Sequence, residues 1–151
     1  MELPGPVGER NLYALAPRGR VLCMAGTPAV MVVQVAAALA AGNVAVVLPP
    51  PDPDDLLAHL PAALRGKVRR VNDARGAACD VVLYEGDAES LRGWLGVFAA
   101  APGPVVPVHA LPAGALLDGT AEYDPAWLVT ERAVSTNTAA AGGNASLMSV
   151  G

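Results

Sequence analysis

Gly26-Thr27-Pro28-Ala29 follows a short apolar run, the place where α/β proteins carry a phosphate-binding turn. Close approach of backbone to a pyrophosphate uses G-x-G-x-x-G, and that spacing is missing here. No G-x-x-x-x-G-K-[ST] occurs anywhere, and the single lysine, Lys67, is followed by Val68. Gly5 and Gly8 precede the apolar run, on the wrong side for a phosphate loop. As a nucleotide site the sequence reads poorly. Nucleophiles read no better. Cys23 lies in the apolar run with no His near it, the setting of a buried structural thiol. Cys23 and Cys79 form no C-x-x-C pair and have no His at ligand spacing, so neither a zinc site nor a disulfide framework is indicated. The reading is two reduced thiols in a cytoplasmic protein. His59 and His109 read as ordinary exposed or hydrogen-bonded side chains. Glu85-Gly86-Asp87-Ala88-Glu89 gathers carboxylates after a strand, where ligands sit in α/β proteins; a turn plus a helix cap explains them as well. Asp52, Asp54 and Asp55 read as a metal cluster or, more simply, as helix capping. The start, Met1 to Gly5, has neither the basic residues nor the apolar run of a signal peptide.

The elements around these residues alternate. Arg20 to Ala25 is a strand buried on both faces, stopped by Gly26. Pro28 suits a first helical turn, Ala29 to Ala41 continues the helix, and Gly42 takes the left-handed position after it. Val44 to Leu48 is the next strand, ended by three prolines. A helix from Asp52 through Leu56, Leu57, Leu60 and Leu64 stops at Gly66. Arg69 to Asn72 is a weak strand and Asp80 to Tyr84 a strong one. Asp87 caps a helix whose Leu91, Trp94, Leu95 and Phe98 form a face predicted to pack on the sheet. Val105 to Ala110 is an edge strand because of Pro107, Gly114 to Pro125 a loop, and Trp127 to Val134 a late extended segment. This order predicts an α/β, Rossmann-like domain: a mainly parallel sheet with helices on both faces, over 1–132, plus an extended C-terminal tail over 133–151.

The 151 residues are 53% hydrophobic and 16% charged, with a formal net charge of -4. That excludes disorder throughout and argues against nucleic acid, since neutralising phosphates takes clustered Lys and Arg. Ala29 to Leu48 is long enough to span a bilayer, but Gln34, Gly42-Asn43 and the β-branched run after them argue for a buried helix and strand. That helix is apolar almost all round, which predicts a cover on every side, some of it from outside the chain. The tail from Ala133 has no charged side chain. It reads either as a frayed end or as a segment laid against another surface, with Leu147, Met148 and Val150 as anchors.

Ala36 to Val47 resembles the helix-to-strand junction of the NAD-binding domain of aldehyde dehydrogenases. Leu3 to Asn11 and Glu131 to Gly151 resemble the extreme C-terminal domain of the proline utilization A family, bacterial bifunctional flavoenzymes that oxidise proline to glutamate. The resemblance implies a parent with an FAD-dependent proline dehydrogenase, an NAD-dependent glutamate-semialdehyde dehydrogenase, and a C-terminal aldehyde-dehydrogenase-like domain that is not catalytic. That domain's implied part is substrate channelling: it covers the passage between the two sites, with its terminal motif against the dehydrogenase domain as partner. Leu48 and Pro49 stand where active relatives have a cofactor-binding Lys, and Glu85-Gly86-Asp87 where they have a Gly-Ser/Thr turn. The expectation is therefore no catalytic, cofactor-binding or metal residue in this chain, no transmembrane span, and an interface made by Asn137, Thr138, Gly142, Gly143, Asn144, Ser146, Leu147 and Met148. Self-association is a further possibility. The alternative is a free-standing small nucleotide-binding protein or reductase using the loops at Gly26 and Glu85.

Overall fold

The computed structural model describes residues 1–5, 8–48 and 60–138. Two compact units divide the chain: Pro17–Thr130, and Met1–Ala16 with Glu131–Gly151. In chain order the elements are β1 (Glu2–Leu3), β2 (Glu9–Pro17), β3 (Arg20–Met24), α1 (Pro28–Ala40), β4 (Val44–Leu48), α2 (Ala62–Arg65), β5 (Val68–Arg70), β6 (Val81–Tyr84), α3 (Ala88–Ala100), β7 (Val108–Ala110), α4 (Ala113–Leu117), a 3-10 turn (Pro125–Leu128) and β8 (Val129–Asn137).

The larger unit is built on a five-stranded sheet in the order β5-β4-β3-β6-β7. Every pair in it is parallel, with Cys23 opposite both Val47 and Leu83. Its central strands are buried on both faces, so their side chains split between two cores. Val21, Cys23, Val47 and Leu83 face α1 and α4; Leu22, Met24, Val46 and Val82 face Phe98 of α3. That is the predicted Rossmann-like arrangement, with helices on both faces.

The α1–β4 junction shows why the sequence folds this way locally. Gly42, at φ +79, closes α1: its N–H donates to Leu39 O at 2.9 Å and the N–H of Asn43 to Ala38 O at 3.0 Å. This left-handed closure satisfies two helix-end carbonyls and suits glycine. Asn43 is buried beside it, its Oδ1 accepting from Gly19 N at 2.8 Å and its Nδ2 donating to Leu128 O at 2.9 Å. One side chain thus ties α1, the approach to β3 and the 3-10 turn together.

The smaller unit holds most of a three-stranded sheet in the order β1-β2-β8, β1 running antiparallel to β2. None of its described residues is buried. The predicted boundary at 132/133 falls inside β8.

Several expectations need correcting. Glu9–Pro17 is strand β2, an element that no pattern in the sequence announces. The predicted loop from Gly114 contains α4, a helix too short for periodicity to show, held by buried Leu116. Trp127 and Leu128 lie in the 3-10 turn rather than in a strand, and β7 begins only after Pro107. The α3 face is Leu91, Trp94 and Phe98; Leu95 is 45% exposed, one helical step off the packed line. Trp94 is only partly buried, stacked on Phe98 at 6.0 Å with the Arg75 guanidinium 5.4 Å from its ring centroid. On α1, Ala29, Val32, Ala36 and Ala40 are exposed, so one flank of the apolar helix has no cover among the described residues. Of the helix predicted from Asp52 to Gly66, the described residues show only α2: Leu60, predicted as part of its face, precedes Pro61, and the helix starts after that proline; Asp52, Asp54, Asp55 and His59 lie outside the described residues. Among the described residues no helix is long and apolar enough to cross a membrane.

Two stability outcomes follow from the packing. Asn43→Ala strands the Gly19 N–H and leaves the Leu128 carbonyl only its bond from Arg18 N, and it is expected to cost about 1–3 kcal/mol in denaturant unfolding. Phe98→Ala is expected to cost about 3–5 kcal/mol, while Leu95→Ala stays within about 0.5 kcal/mol. Equal losses for Leu95 and Phe98 would mean that α3 presents a different face.

Candidate functional site: the crevice at the carboxyl ends of β3 and β6

In an open parallel sheet the ligand crevice lies outside the carboxyl ends of the strands, where the chain reverses its direction of winding. Here that point is between β3 and β6, since β4 and β5 continue to one side of β3 and β6 and β7 to the other. The loop Ala25-Gly26-Thr27 leaves β3 and leads into α1; Glu85-Gly86-Asp87 leaves β6 and leads into α3.

The chain's own groups occupy this crevice. Gly26 N donates to Glu85 Oε2 at 2.7 Å, so a carboxylate lies where a backbone N–H before a helix would meet a phosphate. Its position is fixed from behind, because Glu85 N donates to Met24 O at 2.9 Å. A Cβ at Gly26 would come within 3.0 Å of the same oxygen. Thr27 caps α1 by accepting from Val30 N at 3.4 Å. Asp87 caps α3 with Oδ1, accepting from Glu89 N at 2.9 Å and Ser90 N at 2.8 Å. These bonds, those from Ser90 first, lower the Asp87 pKa.

Deeper in, Gln34 is fully buried on α1. Its Nε2 donates to Met24 O at 3.3 Å and to the Tyr123 hydroxyl at 3.0 Å. That hydroxyl in turn donates to Tyr84 O at 3.2 Å. Gln34 Oε1 has no partner among the described residues. One chain of hydrogen bonds therefore joins the last residues of both central strands across the crevice. Burial pushes the Tyr123 phenol up to about 12, against a smaller opposing effect of the bond from Gln34.

Other residues of interest in the sequence stand apart from this cluster. Cys23 is buried in the sheet, and burial pushes its thiol pKa far up, away from the nucleophilic thiolate. Cys79 is half-buried and raised by the same cause. His109 sits on edge strand β7, its ring centroid 3.6 Å from that of Trp127, and burial lowers its pKa. Among the described residues no group of three His, Cys, Asp or Glu side chains could hold a metal. Asn137 ends β8, and Thr138 N donates to Gly8 O at 2.7 Å. Gly142, Gly143, Asn144, Ser146, Leu147 and Met148 lie outside the described residues. Sequence reasoning passed over Gln34 and Tyr123 as site residues; the available signal was a lone amide on an otherwise apolar helix.

This sheet and crevice define a Rossmann-like α/β domain. The fold is shared with an NAD-dependent benzaldehyde dehydrogenase from Corynebacterium glutamicum, 19% identical, at a TM-score of 0.51 over 73% of this chain and 28% of that one. A crystal structure of Bradyrhizobium japonicum proline utilization A (PutA) matches 73% of this chain and 13% of that one, at 29% identity and a TM-score of 0.57. The bifunctional protein PutA of Rhizobium meliloti is 43% identical over 159 aligned positions, which take in 100% of this chain and 12% of that protein. No protein-family model matches. The chain is a PutA-related domain, and it spans about an eighth of the curated relatives' length.

The crevice carries a pH prediction. A tyrosine that keeps its proton to about pH 12 when folded, but loses it near 10.0 when unfolded, contributes stability that is intact below 10. That contribution disappears as pH rises through about 12. Alkaline absorbance titration is expected to show one tyrosine ionising last, and Tyr123→Phe to remove that step. Persistence of the late step in the variant would assign it elsewhere.

Proposed function

We propose that this chain is a non-catalytic, C-terminal domain of a cytoplasmic, bifunctional proline-oxidising PutA polypeptide. In this reading it acts as a lid and interface over the passage between the proline dehydrogenase and glutamate-semialdehyde dehydrogenase sites. FAD and NAD serve those two sites in the parent, and this domain holds neither. The observation that carries the reading is the Glu85 carboxylate on Gly26 N. A pyrophosphate brought to that N–H would meet a fixed negative charge. The buried bridge through Gln34 and Tyr123 joins the ends of the two central strands beside it. The residues present therefore do not suit a dinucleotide.

The interface half of the reading draws on the smaller unit. A three-stranded sheet needs an apolar face against something to be stable by itself, and none of this unit's described residues is buried. The dehydrogenase domain of the same polypeptide is the partner proposed for it. Asn137, Thr138, Gly142, Gly143, Asn144, Ser146, Leu147 and Met148 are the proposed contacts. Ordering a glycine-containing, uncharged tail costs about 1–2 kcal/mol per residue in backbone entropy, so it requires a preformed surface.

Two measurements test this. Calorimetric titration of the chain with NAD is expected to give no saturable heat; micromolar binding would favour a nucleotide-binding protein instead. In the full PutA polypeptide, deleting Ser135 to Gly151 is expected to lower aldehyde oxidation and the coupled reaction while flavin-dependent proline oxidation is retained. Parent rates in all three assays would leave the tail without the proposed function.

A further inference from the structure

At the opposite end of the sheet, where β3, β6 and β7 begin, a cavity of about 530 Å³ lies within the larger unit. Its volume falls in the range of small-molecule sites, about 300–1,000 Å³. One wall is charged. Arg20 is paired there, its Nε and Nη2 donating to Asp80 Oδ2 and Oδ1 at 3.2 and 3.3 Å. Asp80 also accepts from Arg20 N at 2.7 Å. The neighbouring Arg18 has no bonded carboxylate among the described residues. A guanidinium has five N–H donors. Among the described residues that of Arg18 makes one long contact, Nη2 to Val129 O at 3.5 Å, and its Nε is buried with no acceptor. The far wall is apolar, made by Phe98, Val105 and Val106. The last turn of α3 lies on that side, and its carbonyl ends confine a negative charge to the Arg18 end.

We propose that this cavity is a binding site for a small organic carboxylate with a short apolar body, the carboxylate meeting Arg18 and the body lying against Phe98 and Val105. A partly buried cation short of acceptors is costly, and a carboxylate supplies paired, charge-assisted acceptors. The apolar wall removes the rest of the ligand from water. Two guanidinium groups, Arg18 and Arg20, share the single Asp80 carboxylate, which leaves one positive charge unbalanced on the charged wall.

The test is a titration of the chain with hexanoate, hexanamide and hexylammonium, followed by backbone amide chemical shifts. Hexanoate is expected to move the amides of Cys79, Asp80 and Val106 saturably. Hexanamide is expected to bind about tenfold more weakly, as for loss of one charge-assisted contact. In Arg18→Gln the two should become equal, the backbone bond from Arg18 N to Leu128 O being retained. Val105→Asp, at a rim position 94% exposed, should weaken hexanoate with Tm unchanged, which separates lost binding from lost fold. Equal binding of hexanoate and hexanamide to the unaltered chain overturns the proposal. So do tighter binding of hexylammonium, shifts confined to Arg69 and Arg70 on β5, or no saturable shift at all.

Discussion

The backbone groups at the carboxyl ends of the two central strands must find partners inside this chain. In a nucleotide-binding sheet the loops at that point turn their N–H groups toward a phosphate. Here Gly26 N–H has Glu85, Met24 O has Glu85 N and Gln34, and Tyr84 O has the Tyr123 hydroxyl and Leu111 N. Each partner comes from a different element: the loop after β6, the middle of α1, and the segments that follow β7. Satisfying these groups internally is what draws the outer segments onto the sheet. A buried polar group without a partner costs about 1–3 kcal/mol, so the network both closes the crevice and fixes the register of what surrounds it.

The same logic operates at the opposite end of α1. Asn43 receives one N–H and supplies another, joining the start of β3 to the 3-10 turn near the end of the larger unit. Two buried polar side chains, Gln34 and Asn43, thus tie an otherwise apolar helix and its closing turn to segments distant in sequence. Hydrophobic burial supplies most of the driving force but is non-directional; these amides supply direction.

The larger unit was legible wherever a local rule decided the outcome. The Gly42 closure, the Asp87 cap, Pro28 in the first turn of α1 and the two-faced strands all follow from residues adjacent in sequence. What was not legible depended on distant partners. β2 has no clean alternation because its sheet has no buried face, so period two leaves no mark. α4 is held by Leu116 in a core most of whose members lie far away in sequence. Leu95 shares the helical spacing of its neighbours, yet it falls just past the edge of what the sheet covers. In the crevice, Glu85 was visible as one of several carboxylates in a turn. That its carboxylate reaches Gly26 across 59 positions is a consequence of the β3–β6 pairing.

The central claim is that Glu85 holds the anion position at Gly26. It is tested most directly by following the Gly26 amide resonance while inorganic pyrophosphate is added. With Glu85 in place the resonance is predicted to stay still, and in Glu85→Ala to move saturably as the freed N–H meets the added anion. A saturable shift of Gly26 in the unaltered chain would contradict the claim, because the crevice would then be open to phosphate.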